Sequence, residues 1–408
     1  MKYIVLIGDG MADYPLAQLQ GKTILEIAHI PCMNEIAKIG TLGRIKTVPE
    51  GFSSASDVAN LTILGYEPAK YYCGRGPLEA ANMGITLRDD EVAFRCNLIT
   101  AGQDILQDYS AGHIASNEAS PLIKALNADF GSDFIRFYPG ISYRHLLVIK
   151  AGGLGFKGQG IPSTGELIKI KCTPPHDITG QKISSHLPSG KGAELLIELM
   201  QRSRNILSVQ DINKVRVDLK ENPGNMIWLW GQGKTPSMPS FREKYGVSGS
   251  MISAVDLLNG LARIIKLDVI KVPGATGYYD TNYEGKGSYG IESLKEKDFI
   301  FIHVEAPDEA GHNGDIMAKK LAVENFDKFI VKPALDYFKE NPGNTKILVM
   351  PDHATPIEVR THTRDPVFFA MCGAGIPRGE FSAFNETEAA KSKWFIQKGH
   401  ELMENFIR

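Results

Sequence analysis

Asp352 and His353 sit side by side in PDHATPIEVRTHT, residues 351–363, and His362 follows nine positions later. Two of the ten histidines therefore fall in this stretch, the first of them beside a carboxylate and just after an apolar run. Carboxylates and neutral imidazoles are common donors to divalent metals. A second pair, Asp308 and His312 in APDEAGH, is four residues apart. If the chain turns helical there, both side chains share one face and form a two-ligand clamp. Asp9, in IGDGMAD, is a third acidic residue placed after a strand-like run. Taken singly, each has a plain reading: an aspartate as a cap or turn residue, a histidine packed in the core or on the surface. Asp352 and His353 would point to opposite faces of a regular strand, so they can share a ligand only if the strand ends there; Pro356 favours such a break.

GFSSASDVANLTILGYEP adds a hydroxyl. Ser56 can be an ordinary N-cap, or it can present its oxygen where a helix dipole and free N–H groups favour an anion. Asp57 reads as a helix-start residue. Three aspartates and three histidines suit two divalent ions about 4 Å apart, which stabilise an in-line phosphoryl displacement and lower the pKa of a bound hydroxyl. A serine then becomes a competent nucleophile. In this reading Asp352 and His353 serve one ion and His362 the other.

The elements that must position these groups are legible as well. KYIVLIGDG, KDFIFIHVEAPD and NTKILVMPDH each run from a polar start through an apolar strand to an acidic end. Between the last two, Ala322, Phe326, Phe329 and Ile330 fall at helical spacing. Apolar strands joined by amphipathic helices predict an α/β fold, with a parallel sheet covered on both faces. Ligands bind outside the carboxyl ends of such strands, where Asp9, Asp308 and Asp352 would lie. Short alternating strands, many glycines, the helix GAELLIELMQRSRNIL and the turn-rich residues 157–181 predict an inserted α+β domain. Its expected bounds are 91–221. Residues 1–90 and 222–408 would form a discontinuous core, with the parallel pattern resuming at NMIWLWGQGK.

Composition sets the surroundings. With 408 residues, 43% hydrophobic, 23% charged and a net charge of -2, the chain gives no argument for nucleic acid or a membrane surface. Five scattered cysteines without C-x-x-C fit a reducing compartment. The short apolar run that Asp9 ends is too brief for a signal peptide. The expectation is a cytoplasmic protein.

The order Asp9, Ser56, Asp308-x-x-x-His312, Asp352-His353, His362 resembles the alkaline phosphatase superfamily. GDGMADYPL, SDVANLTILGYEP, GRGPLEA, VPGATGYYDTNYEGK, PDEAGH and DHATP…HT resemble, more closely, the archaeal-type cofactor-independent phosphoglycerate mutases along nearly the whole chain. The resemblance implies an alkaline-phosphatase-like core with an inserted cap that closes over a small phosphorylated substrate. It implies two metal ions, commonly Mn²⁺, Zn²⁺ or Mg²⁺. One would be held by Asp9, Ser56, Asp352 and His353, the other by Asp308, His312 and His362. Ser56 would carry the phosphoryl group as phosphoserine, interconverting 3- and 2-phosphoglycerate without 2,3-bisphosphoglycerate.

One segment departs from that pattern. In QDYSAGHI, Tyr109, Ser110 and His113 stand where the mutases carry arginines. Arginine forks suit carboxylate and phosphate. Arg75, Arg95, Arg144 and Lys234 can supply replacement cations. Arg75, Asp108, His113, Arg144 and Lys234 are the candidate substrate contacts, with His176 also able to face the substrate. The departure resembles a subgroup proposed to phosphorylate homoserine, which is the alternative reading together with a simple phosphatase. Other classes fit less well. GQGKT lacks the upstream glycine of a P-loop, where Trp228 stands. A sulfatase would show proline and arginine where Val58 and Asn60 stand. A purely structural metal site would favour thiolates. His29, His145, His186, His303 and His400 read as structural or surface residues.

Overall fold

The structure, a computed structural model, describes every residue except 156, 157 and 159. The turn-rich stretch expected over residues 157–181 therefore lies partly outside the described residues. Among these the strands are β1 (Lys2–Gly8), β2 (Thr41–Ile45), β3 (Glu91–Ala101), β4 (Leu106–Asp108), β5 (Ile135–Ile141), β6 (Arg144–Lys150), β7 (Met226–Gly233), β8 (Gly249–Ile252), β9 (Asp268–Val269), β10 (Phe299–Val304), β11 (Thr345–Met350), β12 (Val367–Gly373) and β13 (Phe395–Ile396). The chain divides into two compact units, Met1–Tyr72 with Ser237–Arg408, and Cys73–Pro236.

The first unit is built on an eight-stranded sheet ordered β13-β2-β12-β11-β1-β10-β8-β9. β1 lies between β10 and β11 and is parallel to both, with Ile7 in register with His303 and Met350. The three acid-tipped runs of the sequence are thus neighbours, and their carboxyl ends share one edge. Their apolar residues are fully buried, each such Val, Ile or Phe contributing about 1.5–3 kcal/mol. β12 alone runs against its neighbours. Its sequence VFFAMCG hides this, because a strand covered on both faces reads as continuously apolar whichever way it runs.

The helical segment expected between β10 and β11 is present as Ile316–Phe326 and Lys332–Glu340, joined by a π-helical turn at Asp327–Val331. Pro333 lacks the N–H an α-helix needs, and the wider turn lies just before it. The turn also frees Asp327 to accept the N–H groups of Cys32 and Met33 at the start of helix Pro31–Ile39.

In the second unit β3 is buried along its whole length and pairs antiparallel with β6 and β7. β5 extends the sheet beyond β6. NMIWLWGQGK, expected to resume the parallel core, is therefore an antiparallel strand of this sheet, and the boundaries lie at 72/73 and 236/237. β7 was misplaced because burial on both faces gives an antiparallel strand the apolar pattern of a parallel one. At the other boundary, helix Arg75–Asn82 packs on β3 and β7. A Cβ at Gly76 would stand 2.4 Å from the Ala93 carbonyl oxygen, so only glycine allows that approach.

Candidate metal and phosphoryl-transfer site

The carboxyl edge of β1, β10 and β11 gathers the predicted residues. β1 ends at Gly8, and the Asp9 N–H donates to the Val304 carbonyl of β10. β11 ends at Met350, so the chain has left strand geometry before Asp352 and His353. Asp352 Oδ1 accepts the N–H groups of His353 (2.9 Å) and Gly10 (3.1 Å), and Oδ2 accepts Asn60 Nδ2 (2.8 Å). Gly10 has φ +59°, and a Cβ there would lie 2.9 Å from the Asp308 Cα. The GDG turn can close on the site only with glycine as its last residue.

Helix Ser56–Ile63 brings the serine. The N-cap position is Ala55, so Ser56 is the first helical residue and its hydroxyl is not used as a cap. Its Oγ lies 3.1 Å from His353 Nε2. Asp57 lies in the first turn of this helix, as expected, and its carboxylate accepts the Val58 N–H and the Tyr72 hydroxyl.

Helix Ala306–Asn313 follows β10 and places Asp308 and His312 one turn apart. His312 Nε2 is 3.2 Å from Asp308 Oδ2, and His362 Nε2 is 3.3 Å from Asp308 Oδ1. The outer nitrogens are fixed: His312 Nδ1 donates to the Arg360 carbonyl (3.0 Å) and His362 Nδ1 to the Ser54 carbonyl (2.9 Å). Their Nε2 atoms converge to 2.9 Å. With Nδ1 protonated, each Nε2 of a neutral ring carries a lone pair, so both can turn to one divalent ion or share a proton. Asp9, Asp352 and His353 form a second group, with Asp9 Oδ1 3.3 Å from His353 Nε2. Asp9 Oδ1 is buried without a hydrogen-bond partner. These are the features of two cation sites, and the donor sets fit hard or borderline divalent ions. The grouping adds one refinement: His353 also lies within ligand range of the Asp308–His362 set.

The electrostatics agree. Burial, then the Asp352 and Asp308 charges, push the Asp9 carboxyl well above its usual range. Burial alone would raise Asp308 too, but hydrogen bonds from His312 and His362 hold it well below the ordinary carboxylate value. Asp308 in turn raises His312 to about 9. Burial lowers His353.

Sequence reasoning missed three residues. His303, expected to be structural, lies on β10 with Nε2 3.4 Å from Asp9 Oδ2 and 3.7 Å from Asp352 Oδ2. Burial would lower it, but the neighbouring Asp352 and Glu305 carboxylates raise it to about 9. Glu305 and Lys286 stand behind it, buried and paired at 2.8 Å. The signal was available: His303 lies two residues before the acidic end of its strand, where Glu305 sits among apolar neighbours.

The remaining candidates lie in the second unit. Tyr109 meets His113, Tyr143 and His176 edge-on, and His176 meets Trp230. Arg75 and Arg95 stand over the Trp230 ring at 5.3 and 4.8 Å, and Arg144 lies 5.5 Å from the Tyr143 ring. Arg144 Nε is buried without a hydrogen-bond partner. Lys234 is exposed just past β7. Asp108 is differently employed. Its oxygens accept the Ser110 N–H and hydroxyl, the Gly112 N–H and Asn222 Nδ2, all at 2.7 Å. Those four bonds fill its acceptor positions and hold a loop with Ala111 and His113 at φ +50°. Ser110 is itself buried, and its hydroxyl donates to Asp108.

A family model described as 2,3-bisphosphoglycerate-independent phosphoglycerate mutase matches residues 37–213. A Methanosarcina acetivorans protein of that name is 53% identical, with 100% of each chain covered. Among solved structures, a Pyrococcus horikoshii protein matches with a TM-score of 0.81 at 27% identity, over 100% of this chain and 96% of that one. A cofactor-independent phosphoglycerate mutase from Thermoplasma acidophilum matches with a TM-score of 0.67 at 26% identity, over 100% and 99%. Identity at this level over the full length, on a chain whose strand ends gather Asp9, Ser56, Asp308, His312, Asp352, His353 and His362, places it: the protein belongs to the 2,3-bisphosphoglycerate-independent phosphoglycerate mutase family.

Proposed function

We propose that the protein interconverts 3-phosphoglycerate and 2-phosphoglycerate through a phosphoserine on Ser56, without 2,3-bisphosphoglycerate. The observation that carries this is the Ser56 hydroxyl at a helix start, 3.1 Å from His353 Nε2 and released from capping. Asp9, Ser56, Asp352 and His353 would hold one divalent ion, and Asp308, His312 and His362 the other. When bound, the ions lower the pKa of the serine hydroxyl and neutralise phosphoryl oxygens. Ser56 Oγ forms a bond to phosphorus as the bond from phosphorus to the C3 oxygen of the glycerate breaks. The Oγ proton is lost and the C3 oxygen gains one. The C2 hydroxyl then attacks the phosphoserine in the mirror step, restoring the serine. First-turn N–H groups of helix Ser56–Ile63 favour the phosphoryl charge.

Phosphoglycerate is a trianion, and the second unit has the cations it requires. Arg75, Arg144 and Lys234, with Arg95 beside them, are the proposed contacts for its carboxylate and phosphate; His113 is a further proposed contact on the same aromatic cluster. The homoserine reading rests on Tyr109, Ser110 and His113, and the comparisons favour the mutase. Acid quenching of the protein with 3-phosphoglycerate, then peptide mass spectrometry, should find phosphate on Ser56. Phosphate on another residue would overturn the mechanism.

A further inference from the structure

His303, Glu305 and Lys286 form a chain of ionisable groups sealed from solvent. Such groups cost several kcal/mol each to bury, and a well-packed apolar trio would serve the fold as well or better. Their geometry has a direction. Lys286 Nζ donates to Glu305 Oε2 (2.8 Å) and to the His303 carbonyl (3.1 Å). Glu305 Oε1 accepts from the Ala254 N–H (2.9 Å), the Ser253 hydroxyl (3.1 Å) and His303 Nδ1 (3.2 Å). Glu305 is thus gripped by donors from the loop after β8, from helix Tyr283–Ser293 and from β10. A carboxylate held that way cannot drift, and it fixes the ring plane of His303. The other ring nitrogen, Nε2, meets only carboxylate oxygens: Asp9 Oδ2 at 3.4 Å and Asp352 Oδ2 at 3.7 Å.

These two carboxylates are buried against one another and repel. His303 lies on their Oδ2 side, while Asp9 Oδ1 faces His353 at 3.3 Å. We propose that His303 is a positioning residue, locked by Glu305 and Lys286, that holds Asp9 beside Asp352 so that Asp9 Oδ1, buried without a hydrogen-bond partner, is preset for a divalent ion. This rests on the metal-assisted reading above and assigns roles to three residues outside the ligand set.

The test is Mn²⁺ binding by calorimetry to the metal-stripped full-length protein, with bound metal counted by elemental analysis. His303→Leu fills the space without a donor. It should unfold cooperatively yet bind Mn²⁺ about 10–100-fold more weakly, the usual range for outer partners of metal ligands. His303→Gln, which keeps an N–H, should recover part of that loss. Glu305→Gln touches neither Asp9 nor Asp352 and should weaken binding by a smaller factor. Wild-type affinity in His303→Leu would overturn the inference. Should that variant not fold, wild-type affinity in Glu305→Gln would overturn it instead. Because the readout is Mn²⁺ affinity, a wild type that binds two ions but fails to turn over phosphoglycerate contradicts only the proposed function.

Discussion

At the scale of single residues, the site divides into one reacting atom and a set of groups that hold charge around it. Ser56→Ala removes the acceptor of the phosphoryl group and should lower kcat by more than about 10⁴-fold, with metal content retained. Residual turnover within tenfold of wild type would exclude a phosphoserine. His312→Ala or His362→Ala takes one donor from the Asp308 group, and elemental analysis should then show bound metal falling from about two ions towards one. An unchanged content would remove that residue from the ligand set. Most of these residues were legible because residue type and spacing expose them: Asp-x-x-x-His reads as a clamp in any helix. His303 was not, since a histidine within an apolar strand looks the same whether it packs against carbons or against two carboxylates. Asp108 misled for the opposite reason. Its acidic side chain beside YSAGH suggested substrate, and in the structure it accepts three hydrogen bonds from its own loop and one from Asn222.

At the scale of elements, two polar ties hold the site's loops in place. Lys319, on helix Ile316–Phe326, donates to Asp13 (2.8 Å), the Thr355 carbonyl (2.8 Å) and the Ala12 carbonyl (3.2 Å), joining the loops that follow β1 and β11. Lys319→Met leaves Asp13 buried and unpaired, at a cost of about 3–5 kcal/mol. Urea denaturation should show a midpoint lowered accordingly; an unchanged midpoint would mean the pair is not needed. The second tie is Glu386, at the start of helix Glu386–Ala389, which accepts the Asp13 N–H (3.0 Å) and the Thr23 hydroxyl (2.6 Å). Burial raises its carboxyl from 4.5 to about 7. A raised folded-state value favours the protonated form, so this contribution is complete below about 4.5 and lost as pH rises through about 7. In Glu386→Gln the decline in stability between those values should flatten, as read by thermal unfolding across pH. An equally steep decline would assign it to other groups.

At the scale of the whole molecule, the sheet of the first unit explains why seven residues spread from Asp9 to His362 meet at one edge. Parallel neighbours β11, β1 and β10 end together, and each is followed by a turn or helix that carries its ligand. That architecture could be read from three apolar runs with acidic tips. The reversed strand β12 and the membership of β7 could not, because apolar content reports burial and leaves strand direction open. The unit boundary at residues 72/73 is set by packing of helix Arg75–Asn82 on β3 and β7, contacts that no local pattern announces. Among the described residues no helix is long and apolar enough to cross a membrane. The second unit concentrates Arg75, Arg95 and Arg144 around Trp230 and Tyr143, giving this chain cations where its QDYSAGHI loop has none.

The most direct measurement is ³¹P NMR of the Mn²⁺-loaded protein with 3-phosphoglycerate, in the absence of ATP and 2,3-bisphosphoglycerate. The account predicts growth of the 2-phosphoglycerate resonance to a constant ratio with its isomer. A spectrum showing only released inorganic phosphate, or no change with two ions bound, would contradict it.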